Sequence, residues 1–240
     1  MFTIFRKDFN GFFTNPTGYL VIGLFLLSNS LLLWYFKGNW NIFDTGFADL
    51  QAFFDLTPWI FIGLIPAISM RSFSDELNLG TMEILRTRPV TSWHIITGKF
   101  LAVLALVLLS LIPTFIYAYS IRQLAKPEVL DWAQITGSYI GLLLLATAFS
   151  AISIFASLFS KNQIVVLLIG IVLNAIFFYA FTQIQTWNPS LPLGFAQFGL
   201  YEHYQSISRG VIDIRNIVYF VSISVLFLYF SKNKWDASEI

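Results

Sequence analysis

The chain has 240 residues, of which 57% are hydrophobic and 11% charged, and its formal net charge is +1. A soluble domain carries about 25% charged residues, and no water-soluble shape of this size hides so much apolar surface, so a soluble globular protein is excluded and a polytopic membrane protein is expected. The near-neutral balance lacks the basic density of a nucleic-acid binder, and the absence of cysteine removes disulfides, thiolate catalysis and cysteine-held metals.

Residues 1–15 open with MFTIFRKDFNGFFT, in which Phe2, Phe5, Phe9, Phe12 and Phe13 fall on one side of a helix and Arg6, Lys7 and Asp8 on the other. That pattern predicts a short helix lying in the membrane interface; a frayed aromatic tail is the alternative. Asn15-Pro16-Thr17-Gly18 breaks it. The apolar run Tyr19–Phe36 follows. It is long enough to span and ends at Lys37-Gly38-Asn39 without a small-x-small cleavage pattern, so it is expected to be retained rather than removed as a signal peptide.

Further spans are expected over Phe53–Met70, Phe100–Ile121, within Trp132–Ser160, within Gln163–Gln183 and over Asn216–Ser231, six in all. Pro58 and Pro66 in the second span release backbone carbonyls that neighbouring helices must satisfy. Within the fourth, Gly137 and Gly141 form a GxxxG step, and Thr147, Ser150, Ser153 and Ser157 continue it. Such small residues suit close helix packing; a hydrophilic transport path would look similar. Asn174, midway along the fifth span, is the most polar intramembrane group and suits an interhelical hydrogen bond. No ionisable residue is expected well inside any span, which argues against proton- or ion-coupled transport.

The segment at residues 185–214 is too long for a simple turn. Its aromatic content predicts short re-entrant or interfacial helices, with an ordinary external loop as the alternative. With the N-terminus inside, nine of the 14 Lys and Arg fall on the inner side and five outside. That bias predicts both termini in the cytoplasm of an inner (cytoplasmic) membrane protein.

The longest polar interval, residues 71–99, then faces the cytoplasm. Gly80 ends one helix and Thr81 can cap the next. Glu83 lies in that helix's first turn, Arg86 and Arg88 at its end, Pro89 stops it, and Thr91 or Ser92 caps the helix leading into span three. The expectation is a short charged helix that docks a soluble partner; a solvated connecting loop fits the spacing equally well. Gly98-Lys99 superficially matches the end of a P-loop, but Trp93 stands where its first glycine is needed. His94 and His203 fall on opposite sides, and no serine has a nucleophile-elbow setting. No catalytic residue, metal site or bound cofactor is therefore expected.

The pattern Gly80-Thr81-x-Glu83-x-Leu85-x-Thr87-x-Pro89, closing with Gly98-Lys99, resembles the cytoplasmic signature of ABC-2-type transporter permeases. Leu79 departs from it, standing where a small or polar residue is expected. The stretches PWIFIGLIPAISMRSFSDE and YEHYQSISRGVIDIRNIVYF extend the resemblance toward the gliding-motility permease subunit (GldF type) of the Bacteroidota. The resemblance implies a single permease domain over residues 1–240 with an all-α, type V exporter-like fold. It also implies a second permease subunit, identical or different, and a separate cytoplasmic ABC ATPase that binds ATP and Mg. Gly80, Thr81, Glu83, Leu85, Arg86, Thr87 and Pro89 would form the coupling helix. The implied function is export or gliding motility driven by that ATPase; the alternative is a non-transporting anchor or scaffold of a motility or secretion assembly. An intramembrane enzyme is the weakest reading, for want of reactive residues.

Overall fold

The computed structural model describes residues 1–45, 49–80, 91–124, 131–188, 194–210 and 213–237. Among these, six helices are long and apolar enough to cross a membrane: Thr17–Tyr35, Gln51–Asn78, Ser92–Gln123, Trp132–Ala156, Gln163–Trp187 and Ile214–Ala237. We number them spans one to six. An N-terminal helix, Phe2–Thr14, precedes them. A single 3-10 turn at Phe195–Phe198 and a short helix at Leu200–Ser208 lie between spans five and six.

The spans start and stop where the local chemistry dictates. Asp131 caps span four by accepting from the Ala133 and Gln134 amides at 2.9 and 3.2 Å. Asn162 caps span five through the Ile164 amide at 2.9 Å. Such side-chain acceptors satisfy donors that the first helical turn leaves free. Span two ends at Gly80, whose left-handed φ of 67° suits a residue without a Cβ. Pro113 falls in a 3-10 turn, Ile112–Thr114, that interrupts span three near its far end.

The boundaries differ from the hydropathy reading chiefly around the polar interval. Span two does not stop at Met70 but stays helical through Leu79, and span three starts at Ser92 rather than Phe100. Residues 71–79 and 92–99 are therefore helix, and the linker between the spans is shorter than the 71–99 loop expected. Hydropathy ends a span at the first charges, whereas backbone hydrogen bonding continues as long as those charges find partners. Span six likewise extends to Ala237, past Lys232 and Lys234.

Span four is the hub. It packs against spans two, three, five and six and against the short helix. In its most apolar window 72% of residues are buried, against 22% for span five and 28% for span one. Spans one and five thus present their apolar sides outward, as lipid-facing helices do. Close approach is set by glycines: a Cβ at Gly170 of span five would lie 2.8 Å from Cβ of Pro66 in span two. The proline ring therefore sits in a notch that only glycine leaves open.

Candidate functional site

Lys99 sits at the centre of the bundle end that carries the linker between spans two and three. Its side chain is 2% exposed. The ammonium reaches Asp8 Oδ2 at 3.1 Å, Glu76 Oε1 at 3.0 Å and the Ser72 carbonyl at 2.6 Å. It also lies 4.9 Å from the centre of the Phe73 ring. An ammonium has three N–H donors, so all are taken. One side chain thereby ties span three to span two and both to the N-terminal helix. A buried charge is tolerated only when paired and hydrogen-bonded in this way.

The remaining members spread the connection outward. Lys7 lies 3.4 Å from Glu76 Oε1. Arg71 donates to Thr17 Oγ1 of span one at 2.9 Å, and Gln163 of span five donates to Asp75 Oδ1 at 2.5 Å. On span six, Asp236 accepts from Ser92 Oγ at 2.7 Å and pairs with Lys232 at 2.9 Å. The ring of Trp235 packs against Phe73 with centroids 5.3 Å apart. The charged end of span two is thus held by the N-terminal helix and by spans one, three, five and six. The N-terminal helix and the last described turn of span six lie at this same end of the bundle, beside Lys99 and Ser92.

Two ionisable side chains, Glu76 and Lys99, are buried where spans two and three run on beyond the stretches 53–70 and 100–121. On the N-terminal helix, Asp8 reaches Lys99 and Lys7 lies beside Glu76, while Phe2, Phe5, Phe9 and Phe13 follow one another along the other side with ring centroids 5.4–6.0 Å apart. Gly98 explains the close seat of that helix, because a Cβ there would lie 3.1 Å from Ile4 Cβ. Neither role shows in local patterning, since Asp8 and Lys99 are 91 residues apart.

Of the expected coupling residues, Gly80 forms the left-handed end of span two, its amide bonded to the Glu76 carbonyl. Thr81, Glu83, Leu85, Arg86, Thr87 and Pro89 lie outside the described residues. The chain is described again from Thr91, the N-cap of span three, whose hydroxyl meets His94 Nδ1 at 2.8 Å rather than a backbone amide.

The small residues of span four serve several neighbours. A Cβ on Gly137 would meet the Ile207 carbonyl at 3.1 Å, and one on Gly141 the Ile207 and Tyr204 side chains at 3.3 Å. The GxxxG step therefore receives the short helix Leu200–Ser208 and not another span. Ser153 Oγ accepts from Asn174 Nδ2 across to span five at 3.0 Å. Ser157 bonds back to the Ile154 carbonyl of its own helix at 2.6 Å. Ser150 is fully buried, and its hydroxyl has no partner among the described residues.

At the opposite end, the short helix answers a gap in span two. Pro58 has no N–H, which leaves the carbonyl four residues earlier unpaired within its own helix. That carbonyl belongs to Phe54, and Tyr204 donates its hydroxyl to it at 2.6 Å. Burial pushes the Tyr204 phenol well above its usual pKa, with Asp55 and Tyr201 adding to the shift, so the donor stays protonated.

No curated protein matches the chain. Residues 4–231, from the N-terminal helix into span six, match the family described as ABC-2 family transporter protein. The chain, a six-span helical bundle with a charged clasp behind the linker of its second and third spans, belongs to the ABC-2 family of transporter proteins.

Proposed function

We propose that this chain is the permease subunit of an ATP-driven exporter, with nucleotide bound and hydrolysed by a separate cytoplasmic ABC ATPase. Membership of the ABC-2 family supports the transmembrane role. The observation that carries the coupling reading is the 3.0 Å contact between Lys99 and Glu76. Residues 81–90 connect spans two and three, and this contact ties the two helices just behind that connection. A push on a coupling helix at Gly80, Thr81, Glu83, Leu85, Arg86, Thr87 and Pro89 would then move both spans and the N-terminal helix as one unit. The subunit pairs with a second permease, identical or different, and both termini face the cytoplasm at the inner membrane. Its resemblance to the gliding-motility permease supports a role in gliding or an associated export system.

Reversing charge at Glu83→Lys and Arg86→Glu together is expected to abolish co-purification with the ATPase. Unchanged co-purification and unchanged stimulation of ATP turnover by the permease would overturn the reading. The topology has its own test, made simple by the lack of native cysteine. Ser92 lies at the clasp end, and Ser206 sits on the short helix at the other end. A membrane-impermeant thiol reagent should label Ser92→Cys and Ser206→Cys from opposite sides, Ser92→Cys from the cytoplasm. Labelling of Ser92→Cys in intact cells would reverse the orientation and remove the ATPase from reach. Substrate-dependent ATP turnover in reconstituted vesicles then separates transport from passive anchoring.

A further inference from the structure

Between the N-terminal helix and the charged end of span two lies a cavity of about 410 Å³ whose wall includes Lys7, Asp8, Arg71, Asp75, Glu76 and Lys99. The wall carries three cations and three anions, so it is balanced rather than of one sign. These groups are not equally engaged. The Lys99 donors are consumed by Asp8, Ser72 and Glu76. Among the described residues Arg71 uses Nη1 on Thr17, out of the five N–H donors a guanidinium offers. The Lys7 side chain is 64% exposed. Glu76 is 9% exposed, and its Oε2 is buried without a hydrogen-bond partner. An unpaired buried carboxylate oxygen is costly, and among the described residues none donates to it.

We propose that this cavity binds the headgroup of a phosphatidylethanolamine lipid. Its phosphodiester accepts from Arg71 and Lys7, and its primary ammonium donates to Glu76 Oε2. The placement fits a membrane lipid: Arg71 follows the apolar stretch of span two, and Phe12 of the N-terminal helix adds an aromatic side chain to the cavity wall. The balanced wall matches a zwitterion. A choline headgroup has no N–H to give Glu76, and a glycerol headgroup has no cation. The inference stands independently of the ATPase reading, since lipid binding needs no partner protein.

The test is native mass spectrometry of the full purified chain, titrated with phosphatidylethanolamine, phosphatidylcholine and phosphatidylglycerol of identical acyl chains. Phosphatidylethanolamine is expected to bind roughly tenfold more tightly than either of the others, the size of one charge-assisted hydrogen bond. Glu76→Gln should erase its advantage over phosphatidylcholine. Because Glu76 also pairs with Lys99, the variants Arg71→Gln and Lys7→Gln, which leave the Lys99 contacts intact, provide the second arm. Each should weaken phosphatidylethanolamine several-fold, with a smaller shift of the thermal unfolding midpoint in detergent than Glu76→Gln gives. Equal binding of the three lipids, a preference for phosphatidylglycerol, or undiminished binding in both the Arg71 and Lys7 variants would overturn the proposal.

Discussion

Replacing Lys99 with methionine is expected to destabilise the folded chain by about 3–5 kcal/mol, the usual result of removing one partner from a buried charge cluster. Asp8 and Glu76 would lose their ammonium, 3.1 and 3.0 Å away, and the Ser72 carbonyl its donor. The methionine fills much of the same space, so the loss is electrostatic and not a cavity. Thermal unfolding in detergent measures the global effect. A local readout comes from thiol labelling of Ile4→Cys, whose side chain packs against Gly98 and the core. Its reactivity should rise with Lys99→Met as the N-terminal helix loosens. Adding Glu76→Gln should recover part of the loss, because it removes one of the stranded carboxylates. A midpoint equal to that of the parent would show that the clasp contributes nothing to the fold.

Tyr204→Phe is expected to destabilise by about 1–3 kcal/mol, because it strands the buried Phe54 carbonyl without a donor. The physical account makes a sharper claim about a second residue. The carbonyl is free only because Pro58 cannot donate within its helix, so Pro58→Ala should supply the missing N–H. In a Pro58→Ala background, Tyr204→Phe should therefore be nearly neutral. The double-mutant cycle, read as unfolding midpoints in detergent, should show a coupling of about 1 kcal/mol or more. Additive effects would mean that Tyr204 holds span two by ring packing alone, its hydroxyl contact at 2.6 Å notwithstanding.

These two contacts also mark how far linear reading reaches. Pro58 announces a freed carbonyl by its chemistry alone, but the donor, Tyr204, lies 150 residues beyond Phe54 and nothing local points to it. Gly137 and Gly141 announce close packing, yet their partner is the short helix and not a span. Asn174 reads as a hydrogen-bonding group from its apolar surroundings; only the bundle brings Ser153 to it at 3.0 Å. Hydropathy alone makes the polar interval one loop because charge interrupts it. Its two ends are helical because Lys99 pairs with Glu76 and Asp8, and Gln163 donates to Asp75, across four elements.

Composition and run length alone determined that this chain is an all-helical bundle of six apolar spans, because burying backbone polar groups in lipid leaves few other options. The order of the spans and the absence of cysteine chemistry were equally open to direct reading. Gly80 marked a helix end by its identity alone, but only the tertiary structure decided which charges are buried and what fills the glycine notches. The reason is that each of those outcomes depends on a partner from a distant part of the chain, and an ion pair or a helix contact has no periodicity to betray it in advance.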